Sequence, residues 1–308
     1  MFAGLLGLAP STGRITPGRA RSLIAADRLF FATLDDDIRG FALVALARAL
    51  LGRRTAGIFL RPQACLEPGA KARLKRMLFG ALKATPRITL IAIVPQAFAP
   101  AQQAVTDCWM HDPQLWDRID LPVKPDAATV ARIAGFAAGR RVLVFLGRGS
   151  RIKGLPQLAA LVAARPALAQ ELAIVVAGQI DGDCASDAER LAAFGAEIWN
   201  RRVSEEEMAA LYTAANLVWA CYDPSYDQAS GIFGRSVQLG RPAVIREGAM
   251  IARYAALLGH PVVALPQSPP EAADRLARAL SVDEGGADVS TVVAQWRAAA
   301  LGVMKNAL

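Results

Sequence analysis

The sequence is poor in the residues that build metal centres and disulfide frameworks. Its 308 residues include two histidines, His111 and His260, and four cysteines, Cys65, Cys108, Cys184 and Cys221, with no Cys-x-x-Cys pair. So few histidines argue against a histidine-rich metal site, and no metal is expected. Scattered cysteines in apolar or loop surroundings read as core residues or free thiols. Long apolar runs are missing too. The longest candidate, Gly40 to Leu51, carries Arg48 and falls short of the ~20 uncharged residues of a membrane-spanning helix. The apolar start, Met1 to Pro10, lacks a basic leader and a small-residue cleavage site. A signal peptide is therefore not expected, and a cytoplasmic location is.

Acids are outnumbered, 27 against 35 lysines and arginines, for a net charge of +8. This excess fits a solvated basic surface, an anionic substrate or peripheral contact with an anionic membrane on its inner face. Nucleic acid is not expected, because the basic residues are not interleaved with aromatics and no nucleic-acid motif appears. One basic cluster stands out: Lys71, Arg73, Lys75, Arg76, Lys83 and Arg87, beside Leu74, Met77, Leu78 and Leu82. That spacing predicts an amphipathic helix. Its apolar face either packs on a sheet or rests on an anionic bilayer.

With 54% hydrophobic and 20% charged residues, the chain can bury a core, and its length suggests two domains of ~150 residues each. Residues 1 to 27 show weak periodicity and read as irregular. Then come a strand at Leu29 to Leu34, three acids (Asp35, Asp36, Asp37) suited to capping, and a helix over Ile38 to Leu51. A strand at Gly57 to Leu60, the basic helix, a strand at Ile88 to Val94 and a short one near Val105 to Met110 complete the first half. Asp112 to Pro125, with three prolines, reads as a linker. Strands are predicted next at 142–146, 173–177, 197–199, 217–222, 242–245 and 262–265. Helices fall between them at 155–164, 187–194, 204–214, 232–239 and 249–258. Continuous Val, Ile and Leu runs are what a parallel sheet covered on both faces needs. Helices at 271–280 and 290–301, separated by a turn at 283–288, close the chain. The expected division is 1–123, 124–281 and a terminal helix region, 282–308, that returns to the first domain.

Two strand-to-helix turns carry the chemistry. The first is Gly147-Arg148-Gly149-Ser150-Arg151-Ile152-Lys153-Gly154. Its glycines let backbone approach a ligand, the amides at the helix start attract anions, and Arg148, Arg151 and Lys153 add three cations. It is neither a Walker A loop nor a dinucleotide fingerprint. The second is the loop from Asp223 to Gly234, where Ser230 and Gly231 sit at a helix start and their amides could hold a diphosphate.

Together, Gly-Arg-x-Ser-Arg-x-Lys-Gly and Pro-Ser-Tyr…Gly…Gly-x-Pro-x-Val-Ile, with Val203 to Ala214 between them, resemble the donor-binding domain of retaining GT-B glycosyltransferases over residues 141–265. The resemblance implies two Rossmann-like, doubly wound α/β domains, the first reduced. It implies hexosyl transfer from a nucleotide sugar to a saccharide or lipid-linked saccharide in bacterial surface or exopolysaccharide synthesis, without cofactor or metal. Carried over by position, Arg148 and Lys153 contact the donor diphosphate, with Gly147 and Arg151 in the same loop, and Gly231 lies near the donor. Where the family has two spaced glutamates, the second, which binds ribose, falls on Arg235. The first falls on Gln228 or Asp227, so the loop carries a deletion. Arginine cannot accept a hydrogen bond, which leaves open a ribose held differently, another donor, or a glycosyltransferase-like partner or regulatory protein without catalysis. A non-transferring GT-B enzyme such as a sugar-nucleotide epimerase would need more acids and histidines than are found. His111 and Asp227 are the candidate catalytic residues. Gly147, Arg148, Arg151, Lys153, Gln228, Ser230, Gly231 and Arg235 are the candidate donor-binding residues.

Overall fold

The computed structural model describes residues 6–8, 15–117, 123–281 and 288–308. The chain divides into two compact units: Met1–Pro113 with Ala294–Leu308, and Gln114–Val293. The division between Pro113 and Gln114 falls ten residues ahead of the expected 123/124. Part of the expected linker (118–122) and most of the expected turn (283–287) lie outside the described residues.

The first unit opens with a helix that the sequence pattern did not announce, α1 (Pro17–Ala25). Proline in its first turn and a Thr16 side chain accepting from Arg19 N at 3.5 Å start it. None of its residues is buried, so it has no apolar stripe to read. Four parallel strands follow in chain order: β1 (Phe30–Phe31), β2 (Thr55–Phe59), β3 (Ile88–Ala92) and β4 (Cys108–Trp109). β1 and β4 are two residues each, shorter than the runs at Leu29–Leu34 and Val105–Met110 suggest. Asp35 accounts for part of this, because its carboxylate takes over as acceptor for Leu60 N (2.8 Å) and Arg61 N (3.1 Å) beyond β2.

α2 (Ile38–Leu50) connects β1 to β2 and α3 (Ala70–Ala84) connects β2 to β3. Right-handed crossovers running in one direction place both helices on one face of the sheet. Their inner residues share a core accordingly: Phe41, Ala42 and Ala45 meet Phe79 and Leu82 around Phe59 and Cys65. Arg48, which breaks the apolar run of α2, is fully buried. Its guanidinium donates to the carbonyls of Leu23 (2.9 Å), Ile24 (3.1 Å) and Arg54 (2.9 Å), and Nε donates to Thr55 Oγ1 (2.9 Å). It thereby ties the end of α1 to α2. Burying this charge is tolerable because carbonyl oxygens surround it.

The second unit begins with α4 (Ala127–Ala137), capped by Asp126 accepting from Thr129 N at 2.8 Å; it falls in a stretch the sequence pattern left unassigned. Six parallel strands follow: β5 (Arg141–Leu146), β6 (Leu172–Ala177), β7 (Glu197–Trp199), β8 (Leu217–Ala220), β9 (Ala243–Arg246) and β10 (Val262–Leu265). Between and after them lie α5 (Leu155–Ala164), α6 (Ala185–Ala193), α7 (Glu205–Ala214), α8 (Gly231–Gln238), α9 (Met250–Leu258) and α10 (Pro269–Leu280). Both sheet faces are covered: Leu143 and Phe145 enter one core cluster, Val142, Val144 and Leu146 another. Ser204 and Glu207 form the capping box the sequence shows. The closing helix α11 (Ser290–Ala307) runs past the expected Leu301, and from Ala294 on belongs to the first unit.

The six strands lie in the order β10-β9-β8-β5-β6-β7. The chain winds outward from β5 to β7, then returns to the other side of β5 with β8 and winds outward again. The order reverses between β5 and β8, and open α/β sheets bind ligands outside the strand ends at such a point.

Candidate functional site

Both sequence-predicted turns stand at this reversal. The first leaves the end of β5 and enters α5; the second leaves β8 and enters α8. A backbone bond joins them, Asp223 N donating to Ile152 O at 3.2 Å. Gly154, at φ +82°, caps α5, and a Cβ there would lie 2.0 Å from Cys221 O. The glycine thus serves a close approach of the two turns to each other, not to a ligand. Gly147 differs: at φ +90° an added Cβ meets only Ile232 Cδ1, at 3.8 Å.

The three cations of the first turn have different fates. Arg148 Nε donates to Asp181 Oδ1 at 2.6 Å, and Arg151 lies 3.6 Å from Asp183. Nothing in the sequence pattern marked these acids, which belong to the loop after β6. They offset the repulsion that three close cations would otherwise feel. Lys153 pairs with no acid among the described residues; its Nζ lies over the rings of Tyr222 (4.6 Å) and Tyr226 (3.9 Å). A cation resting on aromatic faces keeps most of its charge for an incoming anion.

In the second turn, Ser230 is buried and caps α8, accepting from Phe233 N at 3.3 Å and sharing a hydrogen bond with the Tyr222 hydroxyl. Burial raises the Tyr222 phenol well above its ordinary range, so it stays neutral. Ser230 Oγ is therefore committed to the fold. Phe233 N is engaged by Ser230 Oγ and Gly234 N by Ser230 O, so Gly231 and Ile232 supply the α8 amides outside the helical ladder. A Cβ at Gly231 would stand 2.8 Å from Gln114 Oε1. Gln228 is half-buried in the same loop. Asp227 uses Oδ1 to accept from Met250 N at the start of α9 (2.7 Å) and from Arg246 (3.2 Å). It holds loop to helix, with its side chain about half exposed.

Arg235 points at a residue that sequence reasoning missed. Its two terminal nitrogens face both oxygens of Asp117 at 2.8 and 3.3 Å. Gln238 donates to the same carboxylate (3.0 Å) and to Gln114 O (2.6 Å). Arg235 thus anchors the segment 114–117 to α8. His111 lies in the first unit, stacked on Trp296 of α11 at 3.7 Å and edge-on to Trp109. Burial lowers its pKa to about 4, so it is neutral at physiological pH and placed for packing. All four cysteines are free, and burial pushes the Cys221 thiol up to about 12.

On the α5 and α10 side of Tyr222 lies a cavity of about 330 Å3, walled by Pro156, Leu161, Leu265 and Pro269. Three buried polar atoms of residues lining it have no hydrogen-bond partner among the described residues: Gln157 Oε1, Trp219 Nε1 and Arg246 Nε. Periodicity could not reveal them, since Trp219 reads as one more apolar strand residue. Among the described residues no group of three or more His, Cys, Asp or Glu could hold a metal ion, and no helix is long and apolar enough to cross a membrane.

No protein-family model matches the sequence, and no curated protein sequence is significantly similar. Solved structures are similar in fold. Anabaena Alr3699/HepE, in complex with UDP and glucose, superposes with a TM-score of 0.58 at 13% identity, over 93% of this chain and 77% of that one. A UDP-forming α,α-trehalose-phosphate synthase from Burkholderia xenovorans gives 0.59 at 13% identity, over 94% and 75%. WaaG, a glycosyltransferase involved in lipopolysaccharide biosynthesis, gives 0.51 at 16%, over 82% and 72%. The chain has the GT-B glycosyltransferase fold. Its two parallel-sheet α/β units are the α/β class read from the sequence.

Proposed function

We propose that this protein is a glycosyltransferase that moves a hexose from a nucleotide sugar to a saccharide or lipid-linked saccharide. The unit Gln114–Val293 holds the donor and the other unit serves the acceptor side. The observation that carries this is Lys153: a cation at the strand-order reversal, with aromatic rings instead of an acid beneath it, one of them Tyr222, whose hydroxyl bonds the α8 cap Ser230. As the sugar leaves, negative charge grows on the nucleoside diphosphate. Lys153 and the Gly231 and Ile232 amides are positioned to stabilise it, with Arg148 reaching in from Asp181. No metal is required in this reading, because these groups supply the positive potential. HepE, trehalose-phosphate synthase and WaaG support it through fold, and their UDP and lipopolysaccharide chemistry is the model for the donor and for a role in surface polysaccharide synthesis. Retention of configuration, a cytoplasmic site of action and peripheral contact with an anionic membrane belong to the same proposal.

Calorimetric titration of UDP, GDP and their sugar conjugates tests it. Binding of one nucleotide that is lost in Lys153→Ala supports the reading, and binding of none overturns it. A second reading, a glycosyltransferase-like partner protein without catalysis, is favoured by Arg235. Its guanidinium is fixed by Asp117 where the resembling family places a ribose-binding glutamate. Nucleotide binding without sugar transfer to any acceptor would select that reading.

A further inference from the structure

The first unit carries an apolar face that its own fold leaves open. Along the outside of α2, Leu43, Leu46 and Leu50 are exposed at 72%, 40% and 89%, and Leu51 follows at 63%. On α3, Leu74 and Met77 are exposed at 69% and 65%. Both helices cover the same sheet face and send Phe41, Ala45, Phe79 and Leu82 inward, so the exposed leucines and Met77 lie on the sides of α2 and α3 turned away from that core. The basic helix therefore divides its apolar residues: Ala72, Phe79 and Leu82 pack on the sheet, while Leu74 and Met77 do not.

The charges on these two helices have one sign. Arg39 on α2 and Lys71, Arg73 and Arg76 on α3 are exposed, and neither helix contains an acid. None of these four cations forms an ion pair among the described residues. The nearest acids in sequence precede the helices, at Asp35 to Asp37 and at Glu67. A second copy of the chain is a poor occupant, since a twofold contact would set these cations against themselves. An apolar stripe bordered by cations matches the boundary between acyl chains and anionic headgroups.

We propose that α2 and α3 together form a docking face for an anionic lipid bilayer, with Leu43, Leu46, Leu50, Leu74 and Met77 entering the headgroup boundary and Arg39, Lys71, Arg73 and Arg76 meeting lipid phosphates. This names the surface behind the peripheral contact in the functional reading. It concerns the first unit alone, so it stands or falls separately from nucleotide binding in the second.

The test is cosedimentation of the full chain with vesicles of phosphatidylcholine, with and without phosphatidylglycerol. Two triple variants accompany it: Leu43→Gln, Leu46→Gln and Leu50→Gln, and Lys71→Gln, Arg73→Gln and Arg76→Gln. All six positions are exposed on helices, so the variants are expected to fold, as circular dichroism checks. Binding should require phosphatidylglycerol and weaken with salt. It should fall roughly a hundredfold when three cations are removed, and at least about tenfold in the leucine variant. UDP titration on the same preparations should be unchanged. No binding, equal binding without phosphatidylglycerol, or binding unaffected by either variant would overturn the proposal. So would a wild-type dimer that the leucine variant turns into a monomer, because a second copy would then be the occupant. Vesicle binding retained by a protein that takes no nucleotide would leave the docking face standing and remove the functional reading instead.

Discussion

The two sheets are built from the same unit, strand-helix-strand with parallel pairing, yet only one of them makes a crevice. In the first unit the described strands run β1 to β4 in chain order, so successive helices pile onto one face and no strand ends splay apart. In the second the order reverses between β5 and β8, the two turns face each other, and the cations and helix-start amides gather there. On the proposed reading topology separates the tasks: the reversing sheet offers backbone and charge to a small anion, whereas the simply wound sheet offers two helix backs to a broad, flat surface.

The sharpest way to break this picture is to damage the contact between the turns. Gly154 and Gly147 have nearly the same backbone conformation, φ +82° and +90°, but only Gly154 faces a carbonyl oxygen, at 2.0 Å. Gly154→Ala is expected to cost about 3–4 kcal/mol, strain plus displacement of β8's exit. Gly147→Ala should cost about 1 kcal/mol, the left-handed penalty alone. Chemical denaturation of both variants checks this. Equal losses would mean that the turns do not lean on each other.

Arg235 offers a comparable effect with a diagnosis attached. Arg235→Glu sets two acids face to face where a two-pronged pair stood, both partners about four-fifths buried, and should cost about 3 kcal/mol. Combining it with Asp117→Arg should restore most of that stability, as a double-mutant cycle would show. If the single variant instead gains nucleotide affinity without losing stability, position 235 is a ribose site waiting for its acid, and Asp117 is not its structural partner.

Binding should distinguish the cations of the first turn. Lys153→Ala removes a charge with no competing acid, so nucleotide affinity should fall by about 2 kcal/mol, or roughly thirtyfold. Arg148 is shared with Asp181 and exposed, so Arg148→Ala should cost less than Lys153→Ala. Asp181→Asn should tighten binding by freeing that arginine. Titration of the three variants with the same nucleotide decides the order, and a larger loss at Arg148 than at Lys153 would reverse the assignment.

How much of this was legible beforehand follows from where each signal lives. The second sheet was readable because its strands are buried on both faces and spell unbroken apolar runs, and because glycine and charge mark both turns. The first turn's chemistry was half readable. Its cations were plain, but Asp181 and Asp183, which decide how much of that charge is available, come from another crossover and have no periodic signature. Asp117 was hidden for the same reason, 118 residues away from Arg235 in sequence. α1 was missed because capping by Thr16, not an apolar stripe, defines it; α4 buries Thr129, Ile133 and Ala137 one turn apart, a stripe with too few large apolar residues to stand out. The leucines of α2 misled in the other direction: in sequence an exposed leucine and a buried one are the same letter, and only Arg48 among that helix's residues looks out of place, although it is the one fully buried charge.

The two histidines let pH probe the units one at a time, with the smallest effects of the set. His111 sits in the first unit against Trp296; His260 sits in the second, 4% exposed, with Nε2 3.1 Å from Arg241 O. Burial lowers both to about 4, whereas an unfolded histidine titrates near 6.5. Below that value the unfolded chain takes up protons that the folded chain refuses. Each histidine's contribution is therefore complete above pH ~6.5, is lost as pH falls towards ~4, and changes little below that. The loss should be about 2 kcal/mol for His260 and about 1 kcal/mol for the more exposed His111. Carboxylates titrate in part of the same range, so the informative quantity is the difference from variants that keep the local contacts. His260→Gln retains a donor to Arg241 O and His111→Phe retains the stack on Trp296. Each should flatten the stability profile between pH 6.5 and 4 by its own share, and unfolding followed at pH 7.5 and pH 5 measures that share. If His111→Phe leaves the profile unchanged, that histidine takes up its proton in the folded protein as readily as in the unfolded one. The aromatic stack is then open to water, and His111 returns as a titrating group that chemistry could use.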